Sequence, residues 1–300
     1  MVSNPQIIVG ANSHICLYEG GNISGLGGIH SRQLVEDPMT AQLSLASIRD
    51  TFRLDNDDHY PKTQTVCLEH THNILGGVVL DSNYIHSVGK LCHEELNVKL
   101  HIDGARFFNA AVATATQQSN HTSAISITKD LLKHVDSISL CLSKGLGAPL
   151  GSVLVGDTEF IRLAKRARKR CGGGMRQSGV DAAMGLYALQ NNVERLAEDH
   201  TRAKRLGQEL FRNGLQLMRN GQLDSNLVFF ALPIDCAYTK EQFVRKLSND
   251  YNIKLGSGYS TTYHEGGKYF RAAVHMDVDE EGIDRAAEAI VALTTGKLYT

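Results

Sequence analysis

Short apolar runs recur along the first 200 or so residues, separated by stretches with helical spacing. QIIVG (6–10), GIHSRQL (28–34), QTVCLEH (64–70), KLHIDG (99–104), SISLCLS (137–143) and GSVLVG (151–156) read as strands. Between them, residues 40–53, 81–97 and 123–134 read as helical or partly helical. Strands that alternate with helices predict an α/β layer: a mostly parallel sheet with helices on its faces. In such sheets ligands sit at the carboxyl ends of the strands. LEHTHN, HIDGAR and LSKGLG each place polar residues just past an apolar run, at those ends.

From about 178 to 219 the pattern becomes one long helical run, heavily charged in its second half. Beyond it come a strand NLVFFAL, a helix TKEQFVRKLSNDY, a short strand IKLG, a strand KYFRAAVH and a helix EEGIDRAAEAIVALTT. Asp279 and Glu280 suit the start of that last helix, where negative charge meets the positive end of the dipole. The organisation predicted is a large α/β domain over 1–193 and a small α+β domain over 194–300.

Composition narrows the function classes. The chain has 300 residues, 42% of them hydrophobic and 21% charged, with a formal net charge of −1. That balance gives no electrostatic case for nucleic acid or an anionic membrane as a partner. No apolar run approaches the ~18 residues of a membrane span. The first residues lack the basic start and apolar stretch of a secretory signal. The six cysteines are scattered without CxxC spacing, so the expectation is a reducing, cytoplasmic setting with no zinc site.

The candidate chemistry begins with a lone lysine. Lys144 follows a strand and opens a glycine-rich run, and Asp103 ends another strand about 40 residues earlier. An acid and a lysine at neighbouring strand ends suit pyridoxal phosphate, with the amine on the aldehyde and the carboxylate on the pyridine nitrogen. On spacing alone, an ordinary ion pair is the commoner meaning.

The surrounding words add specificity. HTHN, HIDGAR, SKGLGAPLGSVLVG and GGGMRQSG occur in that order, and together they closely resemble the threonine aldolases, of the threonine aldolase/β-eliminating lyase family. The resemblance runs from about Ile7 to the last helix and implies the aspartate-aminotransferase-like fold, fold type I. It implies Lys144 as the Schiff-base lysine and Asp103 as the acid on the pyridine nitrogen. It implies His14 as the stacking histidine, with Tyr18 on the same wall, and His72 as the histidine facing the substrate hydroxyl. Spacing does not choose between His70 and His72; the resemblance favours His72. Arg106 and Arg271 match residues that bind the substrate carboxylate, and Arg176, with Lys169, matches a contact to the cofactor phosphate. The implied reaction is retro-aldol cleavage of threonine or allo-threonine to glycine and acetaldehyde. A homodimer or homotetramer with the site at the subunit interface is implied as well.

The chain also departs from the family's pattern. Members begin several dozen residues earlier, with an Arg-Ser-Asp-Thr stretch and a Ser-Gly-Thr-x-x-Asn turn that holds the cofactor phosphate. The expectation is weakened cofactor retention and an uncovered sheet edge. An alternative of another class follows, a catalytically impaired scaffold or subunit partner. A desulfurase is weaker, because Ser143 stands where a histidine would precede the lysine.

Overall fold

The computed structural model describes residues 5–54, 57–118, 122–255 and 268–296. The chain divides into two compact units, one of Met1–His72 with Val79–Glu194 and one of Asn73–Val78 with Arg195–Thr300. The short piece Asn73–Val78 leaves the first unit's chain to join the second.

The first unit is built on six strands, β1 (Pro5–Gly10), β2 (His30–Leu34), β3 (Lys62–Glu69), β4 (Lys99–Gly104), β5 (Ser137–Cys141) and β6 (Ser152–Gly156). Their spatial order is β2-β1-β3-β4-β5-β6; the first five are parallel and β6 runs antiparallel to β5. Helices α1 (His14–Leu17), α2 (Asn22–Gly25), α3 (Leu45–Thr51), α4 (Ser82–Lys90), α5 (Phe107–Gln117), α6 (Ala124–Leu131), α7 (Thr158–Arg170) and α8 (Gly179–Asn191) connect or flank them. The central strands are apolar on both faces. Ile8, Val9, Val66, Leu100 and Ile102 are fully buried, as a parallel sheet covered by helices requires. α5 was not anticipated from the sequence. Its run FFNAAVATATQ is apolar nearly all round, so it shows no amphipathic period, and Phe107, Ala110, Ala111 and Val112 are all buried. Side-chain caps start several helices: Asp81 accepts from the N–H groups of Asn83 and Tyr84, and Asp157 accepts from Phe160.

The long helical run expected over 178–219 is broken. α8 ends at Asn191, a turn covers 192–195, and α9 (Leu196–Arg212) starts the second unit. The break falls on Asn191-Asn192, residues that compete with the helix for backbone hydrogen bonds. Gly214, in the left-handed region at φ 86°, then turns the chain into β7 (Gln216–Leu217).

The second unit pairs β7, β8 (Leu227–Ala231) and β9 (Tyr269–Ala273) antiparallel in that order, with α9, α10 (Lys240–Tyr251) and α11 (Glu280–Thr295) packed alongside. Phe230, Phe243 and Phe270 form its aromatic centre, with the Phe230 and Phe270 rings stacked at 5.6 Å. Asp279 caps α11 by accepting from the Gly282 N–H. Residues 253–255 of the expected strand IKLG form no strand, and Gly256 lies outside the described residues.

Candidate active site

Because β1 to β5 run the same way, their carboxyl ends share one edge of the sheet. β1 leads to Asn12 and His14, β2 to Glu36, β3 to Glu69 and His70–His72, β4 to Asp103 and Arg106, and β5 to Lys144. The strand order therefore sets these residues side by side. Glu69 and Asp103 are register partners across β3 and β4, and Asp103 is opposite Ser139 on β5. Gly104 permits the close approach of β4 to β5; a Cβ there would lie 2.8 Å from the Ser139 carbonyl oxygen.

Asp103 is 6% exposed, and its carboxylate's one hydrogen bond among the described residues comes from the Ala105 N–H at 3.3 Å. Burial and the neighbouring Glu69 carboxylate push its pKa up to about 6, while His14 and Lys144 pull it down. The Asp103 carboxylate forms no ion pair among the described residues. Lys144 stands exposed, and its side-chain amine makes no hydrogen bond or ion pair among the described residues. Desolvation of its ammonium and the positive charge of Arg106 lower its pKa, against Cys141, Asp103 and Glu69. Such a lysine carries more free amine than a surface lysine and is the better nucleophile.

The histidines separate clearly. His70 is fully buried, and burial drives its pKa down to about 3. Its Nδ1 accepts from the Leu80 N–H at 3.2 Å, and its ring packs edge-on to Phe107. His72 is 2% exposed, yet Glu69, Glu36 and Asp103 together outweigh burial and raise its pKa. Its Nε2 lies 3.3 Å from Glu36 Oε1. Glu36 is itself buried and accepts from the Asn12 backbone N–H at 3.0 Å and from Asn12 Nδ2 at 2.9 Å. Burial would raise its pKa, but the bonds from His72 and Asn12 hold it below the usual range. Glu36 and Glu69 were not singled out in the sequence; the signal available was an acid at or just past the carboxyl end of a strand. Glu69 Oε2 accepts from the His14 backbone N–H at 2.6 Å. The His14 ring stacks on Tyr18 at 5.2 Å, and its Nε2 is 3.2 Å from Glu19.

Arg106 caps the start of α5, half-buried, where its charge acts on Lys144. Lys169, in the last turn of α7, and Arg176, in the turn before α8, are exposed and make no side-chain hydrogen bond or ion pair among the described residues. Arg271 belongs to the second unit, on β9, where its Nη1 donates to Asn73 Oδ1 at 2.7 Å.

These residues fit pyridoxal phosphate. Asp103 offers a buried carboxylate in need of a cation, which a protonated pyridine nitrogen supplies. Lys144 offers an amine outside any ion pair, and His14 with Tyr18 offers a flat wall.

The comparisons bear on the same point. The description "Beta-eliminating lyase" matches residues 1–233. The chain is 41% identical over 282 residues to the low specificity L-threonine aldolase of Escherichia coli O157:H7, covering 94% of this chain and 75% of that one. It is 38% identical over 245 residues to "Probable low-specificity L-threonine aldolase 2" of Arabidopsis thaliana, covering 81% of this chain and 66%, just under two thirds, of the relative. A solved Leishmania major threonine aldolase superposes with a TM-score of 0.74 at 18% identity, covering 97% of this chain and 78% of that one. With a sheet of this order, an acid, a histidine and a lysine at its carboxyl edge and a match over most of its length, the chain belongs to the beta-eliminating lyase family of fold-type-I, pyridoxal-phosphate-dependent enzymes.

Proposed function

We propose that this chain cleaves the Cα–Cβ bond of β-hydroxy-α-amino acids, threonine or allo-threonine, to glycine and acetaldehyde. The observation that carries the reading is the set Lys144, Asp103 and His72 at adjacent ends of β5, β4 and β3, with His72 held by acids and able to take a proton. Pyridoxal phosphate, when bound, supplies the sink for the electron pair left at Cα. The protein's own part is positioning and proton movement. Lys144 would hold the cofactor through its amine, Asp103 would keep the pyridine nitrogen protonated, and His14 would be the stacking residue. Arg106 orients the substrate carboxylate in the bidentate geometry guanidinium favours. His72 takes the β-hydroxyl proton as the C–C bond breaks.

The reading extends to setting and assembly. All six cysteines are free, two of them buried, which supports a reducing, cytoplasmic environment. Met175, Val180, Leu186 and Tyr187 are more than half exposed at 59%, 73%, 54% and 65%, which supports a homodimer or homotetramer that covers this face. Lys169 and Arg176 are the phosphate contacts of the same proposal.

The test is an absorbance spectrum of the purified chain after incubation with pyridoxal phosphate and desalting, followed by an acetaldehyde assay on threonine. A retained visible band that Lys144→Ala removes, with turnover, is expected. A retained band without acetaldehyde from either threonine isomer would overturn the substrate assignment. No retained band would favour the scaffold reading.

A further inference from the structure

We infer that Glu36 is a positioning residue that fixes the His72 tautomer, with the proton on Nε2 and Nδ1 left as the basic atom. The inference rests on the reading above, in which His72 takes the substrate's hydroxyl proton. Its support is the hydrogen-bond inventory of two buried side chains. Glu36 Oε1 accepts from the Asn12 N–H at 3.0 Å and Oε2 accepts from Asn12 Nδ2 at 2.9 Å. Both bonds require oxygens that accept, as a carboxylate's do. Glu36 Oε1 also faces His72 Nε2 at 3.3 Å, so that nitrogen carries the hydrogen. The other nitrogen, His72 Nδ1, is buried and has no hydrogen-bond partner among the described residues. In a neutral ring with Nε2–H, Nδ1 is a bare lone pair. A buried acceptor without a partner is costly as a structural element, and it is what a proton acceptor for a bound hydroxyl needs.

The backbone is shaped to keep Glu36 in place. A Cβ at Gly10 would fall 2.0 Å from Glu36 Oε1, so that carboxylate occupies the space a side chain would take at the end of β1. The charged groups acting on His72 are Glu36 after β2, Glu69 at the end of β3 and Asp103 at the end of β4, all acids. His70, two residues away, is held neutral and adds no opposing charge. The proton balance closes. Nδ1 takes the β-hydroxyl proton, the Cα–Cβ bond breaks, the oxygen becomes the carbonyl of acetaldehyde, and the electron pair stays with Cα. A proton delivered to Cα completes glycine, so none is consumed overall. The imidazolium formed in between faces Glu36 across its Nε2–H.

The first experiment is long-range 1H–15N NMR on the full chain labelled at its histidine rings, without cofactor, with the His72 signals assigned by their loss in His72→Gln. Nε2 as the protonated nitrogen of the neutral ring is expected, and Glu36→Gln should lower the His72 midpoint by about one pH unit or more. A neutral ring protonated on Nδ1 overturns the inference in wild-type protein alone, even if the variant fails to fold. An unchanged midpoint in folded Glu36→Gln overturns it too. In the loaded enzyme, Glu36→Gln should lower kcat on threonine about 10- to 100-fold, move the acid limb of the pH profile downward, and leave KM nearly unchanged. Glu36→Asp should restore part of both effects; an unshifted acid limb would reduce Glu36 to a packing role. If the tautomer and midpoint behave as stated while wild-type enzyme leaves threonine intact, the Glu36–His72 pairing stands and the substrate assignment falls.

Discussion

Two regions of the first unit meet along β5 and differ in almost every physical respect. On one side, β3 and β4 are buried on both faces and end in a cluster of acids and histidines, each a few per cent exposed. On the other, β6 has every side chain from Ser152 to Val155 exposed, Leu154 at 40%, and Leu163 on α7 and Leu186 on α8 are exposed as well. The acid–histidine cluster is completed by this polypeptide's own packing, so its electrostatics are set before any ligand arrives. Lys169 and Arg176 lie on the open side, where nothing among the described residues fixes their side chains. In the proposed function, the proton chemistry would then be prearranged and the anion contacts still to be ordered.

The strongest way to break the comparison is at Asp103. Its folded pKa is about 6, above the ordinary carboxylate value, so the native state holds a proton that the unfolded chain has already released. Stability without cofactor therefore falls as pH rises from about 4 to about 6 and is flat above, a difference of order 3 kcal/mol. Asp103→Asn should remove that slope: equal to wild type in urea melts near pH 4 and more stable by that order near pH 8. The same change should lower kcat by about 10²–10³-fold in loaded enzyme, because the charge opposite the pyridine nitrogen is gone. A variant no more stable than wild type at pH 8 would show that Asp103 already has a cation partner.

A smaller effect is expected at Gly10. Gly10→Ala drives a methyl into the space of the Glu36 carboxylate, and such overpacking costs about 1–3 kcal/mol. The urea midpoint should drop by that amount, and the His72 NMR midpoint should fall with it as Glu36 is pushed off Nε2. Loss of stability with an unmoved His72 midpoint would mean the ring and not the carboxylate had shifted.

Sequence reading reached these two regions unequally. β4 over Lys99–Gly104 and α11 over Glu280–Thr295 were readable to the residue, because an alternating or 3.6-residue pattern and a clear start signal coincide there. α5 was not, because a helix buried all round has no polar stripe to betray it. Lys144, Asp103, His14 and His72 were legible through the motif order, while Glu36 was not, since its meaning comes from β2 lying beside β1 and from Gly10 leaving it room. The choice between His70 and His72 is an effect of neighbours too. Both are buried, but His72 has carboxylates around it, while His70 Nδ1 is taken up by the Leu80 N–H.

The smallest expected effect tests the open side directly. Leu154→Lys places a charge on an exposed position of an edge strand, where single substitutions usually change stability by less than about 0.5 kcal/mol and lysine also discourages strand-to-strand pairing. Ile102→Ala, on β4 and fully buried, should by contrast cost about 2–5 kcal/mol. Urea melts over a range of protein concentrations check both. If Leu154→Lys proves nearly as damaging as Ile102→Ala, and the damage grows with protein concentration in the wild-type reference, then β6 is covered in solution by a second copy. β6 would then belong to an interface whose burial contributes to folding. If Leu154→Lys is neutral at every concentration, β6 is solvent-facing in the isolated chain and no second copy covers it.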